Sequence, residues 1–165
     1  MEVVCNASPL ICLSKIGRLD LLHKLFDKVI IPFEVWEEVT NRGKKDFPTE
    51  TEFIEKACAD GWLTRKPTQG ALYFEAIDKG EAEVISLAQK LKIKTVLIDD
   101  ALGRKVAESV GLHVRGTLFV LIESYKQKTL TKEEVETLLN KLIQKGFRIS
   151  TEVYAECLHQ IQHMQ

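Results

Sequence analysis

The run Thr95-Val-Leu-Ile-Asp-Asp100 restricts the fold more than any other stretch of this chain. Val96, Leu97 and Ile98 are consecutive apolar residues with no polar alternation, the pattern of a strand buried on both faces. Such a strand belongs to a parallel sheet covered by helices, because an open face would require polar residues at every second position. The run stops on two adjacent carboxylates, Asp99 and Asp100. Open α/β sheets bind ligands outside the carboxyl ends of their strands. The first apolar run, Val3-Val4-Cys5, ends in the same way but on Asn6.

The rest of the chain alternates strand and helix signals. After the strand Glu2–Cys5, Ser8-Pro9 opens a helix, with Ser8 as N-cap and Gly17 at its end. Leu19 to Phe26 reads as a short helix and Val29 to Ile31 as a buried strand stopped by Pro32. A helix carrying Val35, Trp36 and Val39 follows. Asn41 to Glu50 reads as a loop, Phe53 to Ala59 as helix, Trp62-Leu63 as a short strand and Lys66 to Gly70 as a loop. Asp78 starts a helix through Leu91, with Glu81 placed for a capping box. Beyond the acid-tipped strand come a helix from Ala101 to Val110, a last strand His113-Val114-Arg115, and helices over Leu118–Lys126, Lys132–Lys145 and Thr151–His163. Thr131 and Glu134 form a second capping-box pair. The expected fold is therefore α/β: three layers around a parallel central sheet, with a helical C-terminal extension. One domain is expected over residues 1–165, with its core in about 1–116 and the extension in about 117–165.

Composition narrows the function classes. Net charge is −1, from 23 basic and 24 acidic residues, so nucleic-acid binding has to use a local patch and not a global field. Cys5, Cys12, Cys58 and Cys157 are scattered without zinc or redox spacing and read as small hydrophobes in a reducing cytosol. With no signal peptide and no apolar run of spanning length, a cytoplasmic protein away from the membrane is expected.

The acids carry the chemistry. On a helical wheel Glu81 falls within the arc of Val84, Ile85, Leu87, Ala88 and Leu91, whereas Glu83 falls toward the polar side. A carboxylate on a buried arc is costly without a partner, although capping its own helix is an equal explanation for Glu81. Glu38 leans toward the Val35/Val39 stripe more than Glu37 does. One member of Asp99-Asp100 is expected to N-cap the next helix, which leaves the other unexplained. Carboxylates gathered from separate segments repel one another unless a cation lies among them. Oxygen donors select Mg²⁺ or Mn²⁺, ions suited to hydrolysing a phosphodiester.

Several stretches together resemble the PIN-domain family of metal-dependent ribonucleases with a Rossmann-like sheet. Within it the chain is most similar to a branch described as predicted nucleic-acid-binding proteins. The matching stretches are Asn6-Ala-Ser-Pro-Leu-Ile, Ile16-Gly-Arg-Leu-Asp-Leu-Leu, Val29-Ile-Ile-Pro-Phe-Glu-Val, Lys79-Gly-Glu-Ala-Glu, Leu97-Ile-Asp-Asp with Arg104, Gly116-Thr and Gly146-Phe-Arg-Ile-Ser. Position by position, the resemblance implies a metal and catalytic set of Asn6, Glu38, Glu81 and Asp100, with Asp99 beside it. Ser8 corresponds to a small hydroxyl residue near the first acid, besides being a candidate N-cap. The departure is Asn6, where catalytic members carry Asp: an amide oxygen brings no charge and cannot act as a base. The resemblance implies an Mg²⁺- or Mn²⁺-dependent endoribonuclease acting on RNA. It allows the toxin of a toxin–antitoxin pair, dimeric and blocked by a small antitoxin protein. The alternative is a catalytically weakened PIN-like module that binds a protein or RNA.

Secondary candidates lie nearby. Arg42, Lys44 and Lys45 form a basic loop that phosphates could contact, although solvated loop charge explains it as well. Arg104 lies one turn past Asp100, positioned for phosphate or for an ion pair within the helix. His159 and His163 have the spacing of a helical metal pair but no third ligand in view.

Overall fold

The computed structural model describes residues 1–69 and 75–163; Gly70, the end of one expected loop, lies outside the described residues. Its centre is a five-stranded, all-parallel sheet flanked by helices. The strands are β1 (Glu2–Cys5), β2 (Lys28–Pro32), β3 (Leu63–Lys66), β4 (Thr95–Leu97) and β5 (His113–Arg115). Their spatial order is β3-β2-β1-β4-β5. The chain thus lays strands outward from β1 in one direction, then returns and lays β4 and β5 on the other side. The reversal places a crevice between β1 and β4, the point where sheets of this kind hold ligands.

Register is fixed by burial. Val4 pairs with Ile30 on one side and Val96 on the other, and Cys5 pairs with Leu97. Val3, Val4, Cys5, Ile31, Val96, Leu97 and Ile98 are completely buried. A slip of one residue would exchange the faces of each strand, and helices covering both faces oppose it. The ladder continues past the strand ends: the Asn6 N–H donates to Leu97 O at 2.9 Å and the Ile98 N–H to Arg115 O at 2.9 Å. Asn6 and Asp99 are therefore held on rigid backbone.

The helices are α1 (Ala7–Lys15), α2 (Asp20–Leu25), α3 (Phe33–Val39), α4 (Gly43–Asp46), α5 (Pro48–Ala59), α6 (Lys79–Leu91), α7 (Ala101–Ser109), α8 (Thr117–Lys126), α9 (Lys132–Gln144) and α10 (Thr151–His163). Helix α6 packs on β1, β2 and β4 through Val84, Ile85, Leu87 and Ala88, all essentially buried. The C-terminal helices pack on the chain's own core: α8 lies against α1, α2 and β5, and α9 and α10 lie against α8.

Four local expectations are corrected. The segment Asn41–Glu50 is not a simple loop. It holds the one-turn α4, and α5 already begins at Pro48, which occupies the first helical turn where its missing N–H costs nothing. The Phe47 ring lies so close over Gly43 that any side chain there would collide with it. The edge strand begins at Leu63 and runs to Lys66, and its polar residues Thr64, Arg65 and Lys66 hid it from a hydrophobicity pattern. Charged residues are common on such edges because they discourage pairing with other chains. Pro32 is the last residue of β2 and pairs with Lys66, so it ends the strand from within. Finally, α1 begins at Ala7, which leaves Asn6 and not Ser8 at the N-cap position.

Candidate functional site

Asn6 and Asp99-Asp100 leave adjacent parallel strands at the β1/β4 crevice. Helix α6 brings Glu81 to the same place in its first turn, and α3 brings Glu38. These five residues line one cleft of about 460 Å³, together with Ser8 and with Asp78, which precedes α6. Lys15 of α1, Lys145 at the end of α9, and Arg148 complete the lining on the basic side. The sequence thus indicated acids from three segments and the Asn6 amide from a fourth, and all of them line this cleft.

Each acid is held differently. Asp99 accepts three hydrogen bonds: from Ser8 Oγ at 3.0 Å, Thr117 Oγ1 at 2.7 Å and the Thr117 N–H at 2.8 Å. It therefore ties α1, the end of β4 and the start of α8 together. This also shows the role of Ser8: inside α1, its hydroxyl serves Asp99 rather than the helix end. Asp100 is the N-cap of α7, with Oδ2 accepting the Gly103 N–H at 3.0 Å, and its side chain is exposed to the cleft. Asn6 stands at the N-cap position of α1 with extended backbone, φ −82 and ψ 174, but its side chain makes no capping bond. It is 7% exposed, and its Oδ1 is available to the cleft.

Glu81 and Asp78 form a reciprocal capping box: the Glu81 N–H donates to Asp78 Oδ1 at 2.8 Å and the Asp78 N–H to Glu81 Oε2 at 3.0 Å. Glu81 is only 5% exposed, and burial pushes its carboxyl up to about 7. The Asp78 N–H opposes that rise, whereas the charges of Asp78 and Asp100 add to it. Burial likewise raises the Glu38 carboxyl, the charge of Asp78 adds to the rise, and Arg42 partly offsets it.

The pH dependence of stability follows from Glu81. Its folded form holds a proton up to about 7, whereas the unfolded chain releases it near 4.5. Between those values the folded state binds more protons, so the Glu81 contribution to stability falls as pH rises from about 4.5 to about 7 and is flat beyond. Urea midpoints across that range check this. Glu81→Gln should remove the Glu81 part of the slope, and an unchanged slope would show that the proton is held elsewhere.

Gly80 shows how closely the oxygens converge. A Cβ at this position would lie 3.5 Å from Glu38 Oε2, 3.5 Å from Asp78 Oδ1 and 3.6 Å from Asn6 Oδ1. Three oxygen donors from three segments therefore all lie within van der Waals contact of this one position. Two of them are carboxylates and the third is the neutral amide. Among the described residues no group of three or more His, Cys, Asp or Glu side chains is arranged to hold a metal ion. The donor set of the cleft consists of oxygens, with the Glu38 and Glu81 carboxyls raised by burial and by the charge of Asp78, and that chemistry fits a hard divalent cation.

Other candidates fall outside the cleft. Arg42 pairs with Glu34 at 2.8 Å, and neither it nor Lys44 or Lys45 lines the acidic cleft. Arg104 makes no ion pair with Asp100; its Nη1 donates to Ile98 O at 2.9 Å. Glu83, expected on the polar side, is 8% exposed, because α6 is covered more widely than a one-sided surface helix. His159 and His163 face each other with ring centroids 4.3 Å apart.

Sequence reasoning missed Asp78, Lys15, Lys145 and Arg148 as site residues. Asp78 was visible as a helix start, and capping hid its position in the cleft. Lys145 and Arg148 come in through a turn: α9 ends, Gly146 takes a left-handed φ of 97°, and the Phe147 N–H donates to Leu142 O at 2.9 Å. A residue with a side chain is strained at that φ, so Gly146 sets the direction in which Phe147 and Arg148 leave the helix.

A family model described as a PIN domain matches residues 2–163, nearly the entire chain. No curated protein matches it.

Proposed function

The chain belongs to the PIN-domain family, a nuclease-type fold, and on that premise we propose that it is a divalent-metal-dependent ribonuclease with a weakened metal centre. The observation that carries this is the convergence of Asn6, Glu38, Asp78, Glu81 and Asp100 in one cleft at the β1/β4 crevice. Glu38, Asp78, Glu81 and Asp100 would hold Mg²⁺ or Mn²⁺, with Asn6 as a neutral oxygen donor. Bound there, the ion supplies positive charge for phosphate oxygens and acidifies water. The remaining work falls to the chain. Lys15, Lys145 and Arg148 bind the phosphate backbone at the rim. Glu81 Oε2 already accepts the Asp78 N–H, so Oε1 is the oxygen left to face the ion, whose charge would hold the carboxyl ionised. Asp99 positions the site by joining three elements.

The test is cleavage of a labelled RNA in Mn²⁺ by the native chain and by Asp100→Asn. Asparagine caps a helix about as well as aspartate, so the variant keeps the α7 N-cap while losing the charge. Cleavage should fall by at least about 100-fold. Cleavage unaltered in Asp100→Asn would place the activity elsewhere.

Asn6 favours a second reading, in which the fold binds RNA or a protein without cutting. RNA binding with no cleavage by either the native chain or Asn6→Asp would favour it. A toxin role, with a small antitoxin placing a basic residue against these acids, belongs to the first reading. A small adjacent reading frame whose product binds and inhibits the chain would support that role.

A further inference from the structure

A second groove, of about 570 Å³, adjoins the acidic cleft and shares Asp99, Phe147 and Arg148 with it. Four cations line it: Arg104 of α7, Arg115 of β5, Lys126 of α8 and Arg148 of the α9–α10 turn. None of them forms an ion pair among the described residues. Three carboxylates also line the groove, so its cations outnumber its anions by one, and each carboxylate is held by neutral donors. Asp99 accepts its hydrogen bonds from Ser8 and Thr117, Glu123 accepts one from Gln127, and Glu156 accepts one from Gln160. Among the cations lie the half-buried rings of Phe119 and Phe147, and the Arg115 guanidinium stands 5.3 Å from the Phe119 ring centroid.

This combination has a specific chemistry. Unpaired cations along a groove suit a repeating anion, and half-buried aromatic rings in its wall suit flat bases. Double-stranded RNA keeps its bases stacked inside the helix, so a ring cannot reach them; a single strand leaves them free. The groove and the cleft meet at Asp99, Phe147 and Arg148, so a strand lying along both would pass over these residues.

We propose that this groove carries a single RNA strand on one side of the bond to be cut. Arg104, Arg115 and Lys126 hold its phosphates, and Phe147 stacks a base at the junction with the acidic cleft. The inference rests on the nuclease reading for what happens in the cleft, but the groove's affinity for RNA can be measured without cleavage. The C-terminal extension then has a function: together with Arg104 of α7 and Arg115 of β5 it forms the substrate path.

The experiment is fluorescence anisotropy of a fluorescein-labelled single-stranded RNA, on the order of ten nucleotides, titrated with the full chain in EDTA. Arg115→Ala/Lys126→Ala should weaken binding by at least about tenfold and flatten its salt dependence by about two phosphate contacts. Phe147→Leu should weaken it by about fivefold or more with the salt dependence kept, because stacking is lost and charge is not. The same RNA annealed to its complement should bind more weakly than the single strand. Thermal midpoints of the variants near that of the native chain show that they fold. Native-like RNA affinity in the double variant overturns the proposal, and so does an absence of RNA binding by the native chain. Self-association that disappears in the double variant while RNA affinity is unmoved would make the groove a protein contact and also overturn it. With Mn²⁺ present, cleavage whose KM is the same in native and double-variant chains defeats the groove but leaves the nuclease reading. Tight, groove-dependent binding with no cleavage does the opposite.

Discussion

Asn6→Asp should raise Mn²⁺-dependent RNA cleavage by on the order of 100-fold while making the metal-free protein less stable. Aspartate is nearly the same shape as asparagine, so the change adds charge without altering packing. The new carboxylate would share the space beside Gly80 with Glu38 and Asp78, whose oxygens lie 3.5 Å from the point where a Cβ would be. Two effects then compete in the absence of metal. A negative charge at the N-cap position of α1 interacts favourably with the helix dipole, by about 0.3–1 kcal/mol. Confining a third carboxylate at a site only 7% exposed is unfavourable, and for an unpaired buried charge the cost is about 3–5 kcal/mol at the upper end. Repulsion wins, so the metal-free midpoint should fall. A divalent cation would relieve the repulsion, so Mn²⁺ should raise the thermal midpoint of Asn6→Asp more than that of the native chain. The measurements are cleavage rate and thermal midpoint, each with and without Mn²⁺. A variant with no gain in activity and no metal-dependent midpoint would show that the acids beside Gly80 do not form a metal centre.

Gly116→Ala is expected to destabilise the fold by about 3 kcal/mol and to lower any activity of the cleft with it. The backbone at Gly116 is extended, with φ −137 and ψ −172, so alanine meets no torsional objection. The objection is space. A Cβ would lie 2.7 Å from Asp99 Oδ1 and 2.9 Å from Arg104 Nη1. Neither can simply move aside: Asp99 Oδ1 accepts the Thr117 N–H at 2.8 Å, and Arg104 Nη1 donates to Ile98 O at 2.9 Å. Admitting the methyl group therefore breaks bonds in a polar cluster as well as crowding it. Ser8→Ala removes a single bond to Asp99 and should cost less, about 1 kcal/mol. Urea denaturation of the two variants checks the order. A Gly116→Ala chain as stable as the native one would mean that Asp99 does not hold α1, β4 and α8 together.

Much of this architecture is legible in the sequence. The unalternating runs Val3-Val4-Cys5, Val29-Ile-Ile31 and Val96-Leu-Ile98 announce buried parallel strands, and all three lie in the centre of the sheet. Both capping boxes, Asp78 with Glu81 and Thr131 with Glu134, form as read. They were visible because a cap is a relation between residues three apart. β3 was harder to see, since an edge strand needs no apolar run and takes its length from β2. Ser8 was misread because Ser-Pro favours a helix start locally, whereas the position of α1 is fixed by β1 continuing straight into it. Glu83 was misread because a wheel assumes one covered face.

Taken alone, the sequence determined most of the strands and helices, which acids end up near strand ends and helix starts, and that Asn6 beside them lacks a charge. Those properties depend on neighbours within a few residues, where periodicity and capping operate. Only the tertiary structure decided what each acid does. Asp99 and Asp100 are adjacent and chemically identical, yet one joins three elements while the other caps α7 and faces the cleft. The partner that separates them, Thr117, is 18 residues away in sequence, and Ser8 is 91 away. The same holds for the basic rim, where the turn at Gly146 brings Lys145 and Arg148 over a cleft built by the first hundred residues. Side-chain direction and long-range closure arise from how layers pack, and no local pattern records them.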